Sequence, residues 1–138
     1  MPNRKYAIEW LQLAYRNLYT ARRLYDVDHF TDIIVVDLQQ AIEKMLKSIL
    51  AYDNKKIPKS HFLDELASLL TGKINFDEGA MLLLEKATDY YRENRYPNPH
   101  YTHPTKEETK EILDFAEALF RKICGILEIG ENDVILNK

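Results

Sequence analysis

The side chains best equipped for chemistry cluster between Tyr90 and Lys110, where tyrosines and arginines alternate with His100 and His103. An arginine grips a phosphate through parallel N–H bonds, and a tyrosine offers a face on which a base stacks. A histidine exchanges a proton near neutral pH. Together these parts suit RNA cleavage without a metal. A base takes the proton of a 2′-hydroxyl, the oxygen attacks the adjacent phosphate, and a cation steadies the charge that builds. Arg95 and His100, with four residues between them, are the catalytic candidates. Tyr91, Arg92, Tyr96, His103 and Lys47 are the candidate contacts to RNA or a nucleotide. A plainer reading competes with this one. In it the Tyr/Pro-rich segment packs against helices, Tyr91 is core, and Arg92 and Arg95 pair with Glu93 or the last helix.

Other chemistries lack their parts. The four glycines are scattered and form no phosphate loop. There is no Cys-x-x-Cys or His-Glu-x-x-His, and no Glu-x-x-His of the kind that holds di-iron in a bundle. No metal and no cofactor is therefore expected. The net charge of −3 gives no bulk cationic field for nucleic acid, so any such contact must come from a local basic cluster. The single cysteine, Cys124, excludes an intrachain disulfide, fits a reducing compartment and is expected to be a buried structural thiol. Met1 to Lys5 shows no signal-peptide pattern, and no stretch approaches the roughly 20 apolar residues of a membrane span. A cytoplasmic protein with no membrane contact is expected.

The elements that must position these groups read as helices. Ala7, Leu11, Ala14, Leu18, Ala21 and Tyr25 recur at helical steps and predict a first helix over about residues 5–25. Val35, Leu38, Ile42, Met45, Leu46, Ile49 and Leu50 predict a second over about 31–52. Ile33 to Val36 is β-branched, but the helical pattern continues straight through it into Gln39–Lys44. A short helix is expected over about 61–70, closed by Thr71-Gly72, and a third long helix over about 77–94. Three of the five prolines, Pro97, Pro99 and Pro104, make the next interval a loop. Thr105 with Glu108 three residues on predicts a capping box, and the fourth long helix follows to about Leu127. The fold class is thus all-α, an up-and-down four-helix bundle with an additional short helix, in one domain over 1–138. Its core is expected over about 5–128. The tail from 129 is expected to be disordered, or to dock Val134–Leu136 on a partner.

Three segments carry a family resemblance. Gln39-Gln40-Ala41-Ile42-Glu43-Lys44-Met45-Leu46-Lys47-Ser48-Ile49-Leu50 resembles the second-helix signature of HEPN domains. Pro58-Lys59-Ser60-His61-Phe62-Leu63 is similar to the family's lead into a short helix. Arg95-Tyr96-Pro97-Asn98 is similar to its Arg-Tyr-Pro-Asp segment after the third long helix. The resemblance implies a helical bundle that often forms homodimers. It also implies RNA or nucleotide binding, in many members metal-independent ribonuclease activity through Arg-x(4 to 6)-His, and pairing with a small nucleotidyltransferase as toxin and antitoxin. Carried over, Arg95 contacts the scissile phosphate, His100 serves as base or acid, and two copies complete the site. The same spacing also fits Arg22 and Arg23 with His29, so placement singles out Arg95. Tyr96 and Pro97 follow the arginine where catalytic members commonly have a small polar residue. That departure resembles the branch with nucleotidyltransferase partners. His61 is expected to bond backbone groups at its helix start. Glu43 and Lys47 form either a surface pair or part of the Arg95 cleft.

Overall fold

The computed structural model describes residues 2–135. It contains six helices among them: α1 (Arg4–Asp26), α2 (Thr31–Tyr52), α3 (Leu63–Ser68), α4 (Glu78–Glu93), α5 (Lys106–Ile126) and α6 (Glu131–Ile135). The four long helices lie within a residue or two of the expected positions. The short one is trimmed at both ends.

The centre of the bundle is α2, which packs against α1, α3, α4 and α5. From Ile34 to Ala51 it is buried on nearly every side, so its run of apolar residues is wider than one stripe. Ile33–Val36 is helical, because packing on several neighbours outweighs the modest helix preference of β-branched residues. The stripe of α1 that meets the core alternates small and large residues: Ala7, Leu11, Ala14, Leu18 and Ala21. The alanines let the two backbones approach closely. Ile112, Leu113, Ala116, Leu119, Phe120 and Ile123 close the core from α5.

Helix ends follow local chemistry. The Asn3 side chain accepts from the Tyr6 N–H, and the Asp77 side chain accepts from the Ala80 N–H. Thr105 and Glu108 form the expected reciprocal capping box, each side chain accepting from the other's backbone N–H at 3.0 Å. Three helices end with a left-handed residue, Asp28, Asn54 or Glu128. In each case the next N–H returns to a carbonyl of the last turn, as His29 does to Leu24 at 3.0 Å. Gly72, at φ +95°, closes the turn after α3, where a side chain would be strained.

The segment after α5 corrects an expectation. Residues Glu131–Ile135 form a helix against α1 instead of a disordered tail. Val134 is buried there by the chain's own α1, and the Asp133 carboxylate takes a bond from Arg4 at 3.1 Å. Leu136, the end of the expected docking segment, lies outside the described residues. No helix among the described residues is long and apolar enough to cross a membrane.

Candidate functional site

The loop between α4 and α5 is anchored at one end and open at the other. Pro104 is buried, and its carbonyl accepts from the Thr31 hydroxyl at 2.7 Å. Tyr90, the last but three of α4, donates its hydroxyl to Glu108 at 3.2 Å. The Tyr101 ring stands edge-on to Tyr90 and to His103, with ring centres 6.5 and 4.8 Å away. Burial, chiefly, pushes the Tyr101 phenol up to about 12, with the Asp32 charge adding to it. By contrast every residue from Arg95 to His100 is exposed. A turn shapes that stretch, in which the Asn98 side chain accepts from the His100 N–H at 2.9 Å.

A cleft of about 400 Å³ opens against this loop, lined by Arg95, Tyr96, Asn98, Tyr101 and His103, with Glu93 also on its wall. Tyr96 is 77% exposed. The Arg95 guanidinium lies over the Tyr91 ring, 5.7 Å from its centre, and no carboxylate among the described residues is within ion-pairing distance of it. Its expected alternative, a salt bridge to Glu93 or the last helix, is thus not formed. The Asp32 carboxylate lies 3.8 Å from His103 Nδ1, too long for a direct hydrogen bond. His100 is on the same loop but does not line the cleft, so Arg95 and His100 are not gathered into one cavity. Arg92 stacks on Phe62 at 5.0 Å and stands outside the cleft. Tyr91 is half-buried and neighbours both the Arg95 guanidinium and the His61 ring, each 5.7 Å from its ring centre.

Lys47 departs from its expected place. It is 5% exposed, and its ammonium donates to Glu43 at 2.9 Å instead of reaching solvent. Glu43 is 4% exposed, so the two form neither a surface pair nor part of the Arg95 cleft. The other Glu43 oxygen receives His61 Nδ1 at 2.8 Å and the Gln39 amide at 3.1 Å. The Gln39 amide also donates to the His61 carbonyl at 2.8 Å. His61 therefore bonds a carboxylate rather than only the backbone groups expected at its helix start. The sequence signal was the spacing of Gln39, Glu43 and Lys47, each four residues from the last. That spacing puts three polar groups on one stripe of an otherwise apolar helix. Buried polar groups of this kind must satisfy one another or meet a partner from elsewhere in the chain.

Cys124 is buried in α5, and burial pushes its thiol up to about 11, the setting of a structural cysteine and not of a nucleophile.

Fold and site together define a helical bundle with a proline-rich loop, carrying Arg95, His100 and His103, after its third long helix. The HEPN domain family matches residues 7–127. The chain belongs to the HEPN domain family. Among solved structures it is similar to TT1696 from Thermus thermophilus, at 26% identity and a TM-score of 0.69, over 88% of this chain and 95% of that one. It is also similar in fold to ST0689, an archaeal HEPN homologue, at 19% identity and a TM-score of 0.68, over 88% of this chain and 97% of that one. A search of curated protein sequences finds no match.

Proposed function

We propose that this chain binds single-stranded RNA or a nucleotide at the cleft around Arg95 and cuts RNA without a metal. In this reading Arg95 holds the phosphate and His100 moves a proton. One observation carries it. The Arg95 guanidinium has no carboxylate partner among the described residues, and it lies over an aromatic ring at the mouth of an open cleft. Arg22 and Arg4, by comparison, are held by Glu117 and Asp133, and Arg23 and Arg92, which also stack on rings, do not line this cleft. An unpaired guanidinium is free to take a phosphate bidentately, and Tyr96 and Tyr101 offer faces for a base. Membership of a family generally associated with nucleotides and RNA supports the same ligand class.

The test is cleavage of single-stranded RNA in EDTA by wild type, Arg95→Ala and His100→Ala. The expected result is cleavage by wild type and its loss in both variants. Cleavage unaffected by either change contradicts the assignment.

A second reading makes the chain a non-catalytic binding subunit of a small nucleotidyltransferase, or a homodimer whose clefts adjoin. It is favoured by Val27, Phe30 and Ile33, which are exposed apolar side chains in the turn from α1 to α2 and the first turn of α2. The same segment is tied to the loop by the Thr31–Pro104 hydrogen bond, with Asp32 close to His103. A partner seated on these apolar groups would reach the cleft. Sedimentation of the chain alone and with a candidate nucleotidyltransferase tests this. A monomer that binds no such enzyme contradicts it.

A further inference from the structure

The four histidines differ in how firmly they are held. The His29 ring accepts from its neighbour's N–H, Phe30, at 2.8 Å and serves its own turn. His100 is tied only through its backbone, and His103 is 3.8 Å from the nearest carboxylate. Of the four histidines only His61 bonds a buried carboxylate directly, Glu43 at 2.8 Å. That carboxylate is itself fixed by Lys47 and Gln39, and Gln39 also holds the His61 carbonyl. Ring and backbone of His61 are thus set by one buried network.

An ionised carboxylate only accepts, so the Glu43 bond places the imidazole hydrogen on Nδ1. The neutral ring then presents Nε2 as a proton acceptor. Half of the side chain, 49%, is exposed, and Nε2 takes no bond from the rest of the chain among the described residues. A base with a second group fixing its tautomer is the arrangement that proton abstraction requires. The cation it would work with shares a neighbour with it, Tyr91, although His61 does not itself line the Arg95 cleft. The His61 ring and the Arg95 guanidinium are each 5.7 Å from the centre of the Tyr91 ring, so they stand within twice that distance of one another. Arg92, on Phe62 beside His61, adds a second guanidinium without a carboxylate partner among the described residues.

We propose that His61, oriented by Glu43, is the catalytic base that acts on the phosphodiester held by Arg95, and that the substrate is a single-stranded ribonucleotide chain. The assignment rests on the reading of Arg95 as the phosphate anchor. His61 Nε2 takes the proton of the ribose 2′-hydroxyl. The 2′ oxygen forms a bond to phosphorus while the bond from phosphorus to the 5′ oxygen breaks. The departing 5′ oxygen takes a proton from protonated His100. The products are a 2′,3′-cyclic phosphate and a 5′-hydroxyl, and the two histidines exchange protons with solvent afterwards. Glu43 is a positioning residue, since it acts through the His61 ring.

The experiment uses the full chain in EDTA with a fluorescent single-stranded RNA of mixed sequence. His61→Gln keeps an N–H donor for Glu43 but no titrating ring. Cleavage should fall on the order of 10²- to 10⁴-fold with RNA binding retained. Imidazole added to His61→Ala should restore cleavage, which a merely structural role for His61 does not allow. The pair Glu43→Gln with Lys47→Met, which leaves no unpaired buried charge, should lower kcat with KM retained. Wild-type rates in His61→Gln, alongside loss in Arg95→Ala, overturn the His61 assignment and leave the Arg95 reading standing. Failure of imidazole to rescue His61→Ala also overturns it. Absence of cleavage by folded wild type overturns both it and the ribonuclease reading.

Discussion

The loop from Arg95 to His100 and the α2 stripe from Gln39 to Lys47 use similar kinds of side chain under opposite constraints. In the loop the charged and aromatic groups are exposed, and Arg95 has a ring beneath it but no carboxylate. In the stripe Gln39, Glu43 and Lys47 are buried and bonded to one another or, through Glu43 and Gln39, to the half-exposed His61. The loop keeps its hydrogen-bonding capacity for a ligand. The stripe uses its own to fix geometry. A site needs both kinds of region, one to attract a phosphate and one to hold a proton carrier still. Tyr91 joins them, with the His61 ring and the Arg95 guanidinium each 5.7 Å from its ring centre.

The sharpest way to break this comparison is to remove the centre of the stripe. Glu43→Ala strands the buried Lys47 ammonium and should cost about 3–5 kcal/mol in urea unfolding. Replacing Glu43 and Lys47 together by Leu and Met should recover most of that, because a buried ion pair is often no more stable than a packed apolar pair. A small loss in Glu43→Ala would show that water reaches the cluster.

The loop should behave in the opposite way. Arg95→Ala should leave the unfolding midpoint unchanged and weaken RNA binding about tenfold or more, the scale of a lost hydrogen-bonded charge. A drop in stability without a change in binding would move Arg95 into the structural class.

The anchored end of the loop is predicted to lie between these extremes. Thr105→Ala removes the cap of α5 and should cost about 1 kcal/mol. The same cap is pH-dependent. The Thr105 N–H, first among several donors, holds the Glu108 carboxyl below the usual carboxylate range. A lowered folded value means the stabilisation is present above the unfolded carboxylate value and is lost as the pH falls through the folded one. Glu108→Gln should therefore flatten the loss of thermal stability on acidification. An unchanged acid profile would contradict the capping geometry. The smallest effect is expected at Arg92, which stacks on Phe62 and stands outside the cleft. Arg92→Ala should change stability by no more than about 0.5 kcal/mol and binding by less than Arg95→Ala does.

What could be read in the sequence follows from what is local. Helical periodicity placed α1, α2, α4 and α5, and the Thr105–Glu108 spacing placed a capping box, since each depends on neighbours within a few residues. The loop was marked by its own prolines. The resemblance of three segments pointed to the family, and the match over residues 7–127 bears that out. The Glu43–His61 bond was not legible, because it joins α2 to the start of α3 across 18 residues and depends on how the two pack. For the same reason the sequence leaves Lys47 at a ligand or in a surface pair, though it lies inside, and leaves Val134 in a disordered tail or on a partner, though it lies against α1. His100 fits the spacing of a motif, but spacing along a proline-rich loop does not fix which way a side chain faces.

The most direct test of the central claim, that Arg95 anchors a phosphate, is the salt dependence of RNA binding. Anisotropy of a labelled single-stranded RNA should be followed from low to high salt for wild type and Arg95→Ala. Each phosphate contact on a single strand contributes about −0.7 to the slope of log affinity against log salt. The account predicts a slope shallower by about that amount in Arg95→Ala, with weaker binding at every salt. Equal affinities and equal slopes for the two proteins would contradict it.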